Sequence, residues 1–373
     1  MPPWPSVVTG AFASRALADA GRVAEVTRSP DIIDDVLRDI LGEDFALTLL
    51  GMEDNGRLLV PVPADLVLLE SVSQDSATTE PPATVVGREV DAGTLRIERA
   101  VPQLLDDPRV GSSCPLSLHA IAPVERREKP SGKQWWIDAK ALAAHLAGKR
   151  TPGADDFVPA NRLWKTESRL GIAIDHRRRT VEEGALYTTE IVSFCPGVRL
   201  VAAFSGNNIP DSGLIRLGGD GHGARIAPAP PEVSKLAATL GRPQSGWRGF
   251  RMVLATPGLF PEGWLPPATD DRGVLRMNGL EATLMAACVP RPMPVSGWDL
   301  ANHRPKPTQA AAPAGSCYWF RIEAGDSGML DRLWQEGFWP ATATGGVSDD
   351  NNLSSIRQRE GWSRVWFGPW DPK

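Results

Sequence analysis

The chain has 373 residues, 42% apolar and 23% charged, an ordinary globular composition long enough for about two domains of ~150 residues. A net charge of −5 argues against a generic basic nucleic-acid coat, and the four cysteines form no CxxC-type pair for a zinc site. No apolar run reaches the ~18 residues of a membrane helix, and the first residues lack the basic region of a signal peptide. A reduced, cytoplasmic protein with no membrane association is therefore expected. The charge is unevenly spread. Residues 161–251 carry 13 Lys/Arg against 8 Asp/Glu, a local net of +5. An acidic total thus leaves room for a basic RNA site in the middle of the chain.

In chain order, Pro5 and Ser6 open a helix that runs to about Leu17. A second helix is predicted from Pro30 to Leu41, with Ser29 as its N-cap and Asp31, Asp34 and Asp35 at its positive end. Strands from Phe45 to Leu50 and Arg57 to Val62 flank the turn signal Asp54-Asn55-Gly56. Residues 71–83 read as a polar loop, and Asp138 to Leu146 as a short helix. The middle is rich in strands. Gly171 to Asp175 and Ala185 to Val192 form a long hairpin with His176-Arg177-Arg178-Arg179 at a charged tip. Further strands cover Val198 to Phe204 and Gly213 to Leu217, with a helix from Pro231 to Leu240 and a strand from Gly249 to Thr256. This strand–strand–helix–strand order predicts a ferredoxin-like unit in that region. Residues 257–313 are rich in Pro and Gly, interrupted by one apolar segment from Leu280 to Val289. A strand from Ser316 to Ile322 and a helix from Met329 to Glu336 follow. Many of the 13 tryptophans adjoin Pro or Gly, where they would pin loops to the core.

Three features carry chemistry. In the glycine-rich segment Gly218, Gly219, Gly221 and Gly223, bare backbone N–H groups can approach phosphates and positive φ shapes an anion nest; a plain tight turn is the equally weighted alternative. A dinucleotide fold would need a helix at once, and the prolines after Ile226 exclude it. His176 to Arg179 can neutralise phosphates or stack on bases, unless Glu182 and Glu183 neutralise them as a solvated loop. The helix start at Ser6 offers free N–H groups and a hydroxyl, with Arg15 nearby, although ordinary capping is the commoner use of such a start. Gly325-Asp326-Ser327-Gly328 and Ala143-Ala144-His145 mimic serine-protease segments, but His145 falls in a helix and no double barrel is evident. No metal-ligand cluster is present, and no cofactor is expected.

Several segments together resemble the RAMP subunit that holds the crRNA 5′ handle in type III-B (Cmr) CRISPR complexes. Pro3-Trp4-Pro5-Ser6-Val7-Val8-Thr9-Gly10-Ala11 is similar to the family's first helix, and Val60-Pro61-Val62-Pro63-Ala64-Asp65-Leu66 to its proline-bearing strand. Glu167 to Asp175 with Glu183 to Glu190 resembles the central hairpin, and Leu217 to Gly221 the glycine-rich loop. Ser296-Gly297-Trp298-Asp299, Arg304-Pro305-Lys306-Pro307 and Pro313 to Trp319 resemble the late segment. The resemblance implies an α+β fold of two ferredoxin-like (RRM-type) domains with loop-rich insertions, over residues 1–155 and 156–373. The family starts on a strand where this chain starts on a helix, so the N-terminal domain is expected to lack its first strand.

The resemblance further implies a non-catalytic subunit that grips the crRNA, docks on the large palm-domain subunit and a backbone RAMP subunit, and meets target RNA indirectly. The expected RNA contacts are Ser6, Arg15, Arg169, His176, Arg177, Arg178, Arg179, Gly218, Gly219, Gly221, His222, Gly223, Arg225, Arg304 and Lys306. The alternatives are a RAMP-type endoribonuclease using His176 or His222 as general acid or base, and a purely protein-binding scaffold.

Overall fold

The computed structural model describes residues 3–71, 95–106, 111–175, 177–218, 222–277, 279–299, 304–305, 307–339 and 349–372. The fold is α+β, as expected, and two five-stranded antiparallel sheets form its centre.

The first sheet runs in the order Arg199–Ser205, Ala46–Asp54, Arg57–Pro61, Trp135–Asp138, Phe157–Pro159. Its central hairpin turns at Asn55 and Gly56, both with positive φ, the geometry that a two-residue hairpin turn demands. The Glu53 carboxylate accepts the Gly56 N–H at 2.6 Å. In a ferredoxin-like unit a first strand would lie along the edge of Arg57–Pro61. Here Trp135–Asp138 pairs antiparallel with that edge, so a later strand completes the sheet. Strands from both sides of residue 155 share it.

The second sheet runs Val274–Met277, Leu280–Cys288, Cys317–Ala324, Gly249–Leu254, Val365–Pro369. Its last four strands follow the order of a βαββαβ unit, with the strand Val274–Met277 standing in the first crossover, where such a unit has a helix. This unit is not the one predicted between residues 171 and 256. The strands of that stretch disperse: Arg199–Ser205 joins the first sheet, while Trp164–Asp175 with Thr180–Phe194, and Gly213–Leu217 with His222–Ile226, are separate two-stranded hairpins. Local periodicity identified the strands but not their partners.

Helix Pro5–Asp19 starts on Pro at its first turn and buries Val8, Ala11, Ala16 and Leu17 at helical spacing. Ser29 does not cap the next predicted helix. It closes an additional helix, Val23–Arg28, by donating its N–H to Glu25 O. Pro30–Ile32 then forms a 3₁₀ turn, and the α-helix proper is Ile33–Leu41. Asp138 caps helix Ala139–Leu146 by accepting the Lys140 N–H at 2.8 Å. The Pro/Gly-rich stretch holds short edge pairings, such as Met293–Val295 with Gln309–Ala311. Helix Asp349–Arg359 and strand Val365–Pro369 were not predicted. Gly368 in that strand is obligatory: a Cβ there would lie 2.2 Å from Leu146 O.

Alternation along strand Gly249–Leu254 divides the core. Phe250, Met252 and Leu254 pack with Phe320 and Phe367 on one face. On the other, Val253, Cys317 and Trp319 pack with Leu49, Leu58, Val60 and Ile137 of the first sheet. Arg251 lies on this inter-sheet side and is 1% exposed. It forms a close ion pair with Asp65, which is fully buried. Arg251 also donates to His145 O at 3.1 Å, and its other terminal nitrogen lies 2.8 Å from His145 Nε2. Arg99 approaches the same carboxylate at 3.9 Å, and the Cys317 thiol lies 3.6 Å from its second oxygen.

Arg251 holds the Asp65 carboxyl far below the usual carboxylate range, against the opposing effect of burial. Burial pushes the His145 imidazole down, and the Arg251 charge adds to this. Nε2 of a neutral ring can then accept from Arg251; it cannot at the same time donate to Asp65.

Removing one member of a buried pair strands the other, at a cost of about 3–5 kcal/mol. Asp65→Asn should lower the unfolding free energy by roughly that amount in chemical denaturation. Asp65 has a depressed folded pKa, so its contribution persists above its unfolded value near 3.8 and fades as pH falls below it. His145 titrates earlier: below its unfolded value of 6.5 the unfolded ring takes a proton that the folded ring resists. Stability should therefore decline from about pH 6.5 downward, and His145→Gln should flatten that part of the pH profile.

Candidate nucleic-acid interface

A cavity of about 280 Å³ opens between the two sheets. Trp4 and Pro5 from the first helix line it, with Pro61 and Val62, Trp135 and Trp136, and Pro313 and Ala314. Three segments singled out in the sequence thus converge: the helix start, the proline-bearing strand and the late segment. Gly315 closes the wall. Its N–H donates to Leu254 O at 2.7 Å, and its carbonyl accepts from Ala64 N–H at 2.8 Å. With φ +91° and a would-be Cβ 2.3 Å from Val62 O, only glycine fits. The lining is largely apolar, yet the buried Trp136 indole N–H has no hydrogen-bond partner. A flat apolar ligand would suit this lining.

Trp4, not Ser6, occupies the N-cap position of the first helix, with no side-chain cap. The Trp4 carbonyl takes the Val7 N–H at 3.0 Å, and its ring packs against Trp362 at 5.5 Å between centroids. Ser6 is half-buried at the second helical position. Arg15 is already engaged: its guanidinium grips the Asp19 carboxylate and donates to Leu214 O at 2.7 Å. It pins the short hairpin to the helix, a tie that reading it as a free phosphate contact did not anticipate.

That short hairpin pairs Leu214 with Arg225, Arg216 with Gly223 and Leu217 with His222. Arg225, His222, Gly223 and Gly218 are exposed, and Gly218 has φ +83°. Gly219 and Gly221, expected to shape the nest, lie outside the described residues.

The long hairpin pairs continuously from Trp164↔Phe194 to Ile172↔Leu186, then shifts register before Ile174↔Val181. At ~3.3 Å per residue its 12-residue first strand extends roughly 40 Å. Its root is anchored where Trp164 meets Trp136 edge to face at 5.9 Å; the same Trp136 lines the cavity. Its tip is built by Asp175, whose carboxylate accepts the N–H groups of Arg177 at 2.8 Å and Arg178 at 3.2 Å. Arg179 turns the chain with φ +53° and donates to Asp175 O at 2.7 Å. The Arg178 side chain is 83% exposed. Arg169 sits mid-strand and exposed, 3.9 Å from Glu167. Along the first strand, alternation puts Leu170 and Ile172 on one face and Arg169 on the other.

His176 and Lys306 lie outside the described residues. Arg304 belongs to a two-residue strand that pairs it with Asp299. The protease-like turn is inert: Ser327 is fully buried and donates to Gln244 O at 2.6 Å. Reasoning from charge passed over Trp4 and Trp136. The signals available for them were the Pro-Trp-Pro triplet and the adjacent tryptophans at 135 and 136. No helix among the described residues is long and apolar enough to cross a membrane.

The family model for a CRISPR-associated protein (Cas_Cmr3) matches residues 1–362. No curated protein sequence matches the chain. Two solved structures resemble it at 15% identity and a TM-score of 0.49. One is a chain of the type III-B Cmr-beta complex bound to cognate target RNA, where the likeness covers 97% of this chain and 85% of that one. The other is a chain of the type III-B Cmr-beta complex bound to cognate target RNA and AMPPnP, with 98% and 90% covered. With 362 of its 373 residues matched, the chain belongs to the Cas_Cmr3 family of CRISPR-associated proteins.

Proposed function

We propose that this chain is a non-catalytic, RNA-gripping subunit of a type III-B CRISPR effector complex. In this reading it holds the 5′ handle of the crRNA, docks on the large palm-domain subunit and a backbone RAMP subunit, and meets target RNA through them. The observation that carries the reading is the cavity where the three family segments meet. Its walls are aromatic and largely apolar, which suits an unstacked base. The adjoining helix N-terminus favours a phosphate. The long hairpin rooted on Trp136 carries Arg177–Arg179 outward, where guanidinium groups can replace counterions along the RNA backbone. Among the described histidines, His145 is held in the inter-sheet ion cluster, and His222 stands exposed on the short hairpin.

Arg177→Ala/Arg178→Ala should weaken binding of handle RNA to the purified chain. The slope of log K against log[salt] should fall by up to about two. Unchanged affinity would support a purely protein-binding scaffold instead. The same protein incubated with repeat RNA should leave it intact; metal-independent cleavage abolished by His222→Ala would replace the scaffold reading with an endoribonuclease.

A further inference from the structure

Among the described residues, three arginines are almost completely buried: Arg251 at 1% exposure, Arg357 at 5% and Arg364 at 2%. Arg251 has the Asp65 carboxylate, and Arg357 has Glu360 at 3.0 Å. Arg364 has no carboxylate within ion-pair distance among the described residues. Its guanidinium makes a single hydrogen bond, to the Gln335 carbonyl, and its buried Nε has no partner. Burying a cation without a counter-charge is costly. Burial accordingly pulls the Arg364 pKa down to about 10, with only a weak opposing influence from Glu336. Nothing in the fold described above repays that cost.

Arg364 lines a cleft of about 830 Å³ between the start of strand Ala46–Asp54 and residues 334–336 and 358–366. This volume is in the range of small-molecule sites and well beyond a lone inorganic ion. Phe45 and Trp366 give it apolar walls, while Thr48, Gln358 and Arg359 add polar ones. Arg359 is held at 2.6 Å by Asp34. Three carboxylates also line the cleft, those of Glu43, Asp44 and Glu336, and all three residues are exposed. Glu43 lies 3.9 Å from Arg38, and Glu336 is paired with Arg332 at 3.0 Å. The mouth is therefore mixed in charge and the floor is cationic. Such an arrangement admits a ligand with one small anionic group and penalises a polyanionic one.

We propose that this cleft binds a phosphate-bearing ligand of mononucleotide size, with Arg364 holding the phosphate and the apolar walls holding the flat remainder. The phosphate chemistry is common to a free nucleoside monophosphate and to one nucleotide of an RNA chain. Guanidinium suits it because the terminal nitrogen not bonded to Gln335 O can donate to a phosphate oxygen while its charge balances the anion.

The test uses the full-length chain with AMP, UMP and inorganic phosphate as probes, read by thermal unfolding and by titration calorimetry. AMP or UMP should raise the unfolding midpoint in a concentration-dependent way, with a smaller effect from phosphate alone and from ATP. Arg364→Met should weaken nucleotide binding about tenfold or more. Without ligand it should unfold at the same temperature as the parent or higher, because an uncompensated buried charge is gone. Thr48→Phe, which narrows the cleft and leaves the guanidinium in place, should also abolish the shift; it keeps the test valid if Arg364→Met does not fold. A short single-stranded RNA separates the two sources. Displacement of a fluorescent AMP analogue identifies an RNA phosphate, and failure to displace it identifies a free nucleotide. The proposal is overturned if no probe shifts the midpoint, or if the shift survives in the folded variants. A lower midpoint for folded, ligand-free Arg364→Met would also overturn it, since the charge would then be structural.

Discussion

The ion pair between Asp65 and Arg251 is the contact around which the two sheets are arranged. Asp65 comes from the segment that leaves the first sheet and Arg251 from an inner strand of the second; His145 and Arg99 reach the same point from a helix and a strand. The carboxylate lies just beyond Pro61 and Val62, which line the inter-sheet cavity. The charge cluster and the cavity wall are therefore one stretch of chain. Two neighbouring thiols complete the surroundings without adding charge. Cys288 donates to Ala64 O at 3.2 Å, and burial raises its pKa to about 11. Cys317 is raised further by the same cause. Both stay protonated, and the Cys317 thiol donates to the Asp65 carboxylate at 3.6 Å. A buried pair of this kind contributes little net stability compared with a packed apolar core, but it tolerates few alternative registers. Its role here is to fix how one sheet sits on the other, and with that the shape of the cavity.

The long hairpin obeys a different constraint. A two-stranded ribbon without a third strand is marginal in water. This one is held at both ends, by the Trp164–Trp136 contact at the root and by Asp175 bonding at the tip. Between them Leu170, Ile172, Leu186 and Tyr187 are all more than 40% exposed. Apolar residues left open along a projecting ribbon are costly for a lone soluble chain and suit a member of an assembly that covers them.

What the sequence made legible followed how far each signal reaches. Asp54-Asn55-Gly56 marked its hairpin and Asp138 its helix, because those preferences act over three or four residues. That Arg199–Ser205 would pair with Ala46–Asp54 was not legible, since nothing local encodes a partner about 150 residues away. Helix Asp349–Arg359 is too polar to show an apolar stripe, and strand Val365–Pro369 contains the Gly and Pro that usually argue against one. The candidate site was read in part. The family segments led to the cavity and the arginine run to an exposed tip. Arg15 looked free because its partner Leu214 O is 199 residues away. Arg364 looked ordinary in Ser363-Arg364-Val365-Trp366, because its burial comes entirely from tertiary packing.

Arg251 and Arg364 show what burial of charge can be used for. Arg251 meets its counter-ion within the chain, so its contribution is present in every folded molecule and rigidifies the join between sheets. Arg364 meets only a carbonyl, so its electrostatic cost remains until something anionic enters the cleft beside it. A cation compensated from within holds a structure together. A cation left uncompensated beside an accessible volume makes the stability of the surrounding segment depend on occupancy. The elements around Arg364, Ala46–Asp54 and Val365–Pro369, are strands of the first and second sheets. A ligand in this cleft would therefore brace the same join that Asp65 and Arg251 secure from inside.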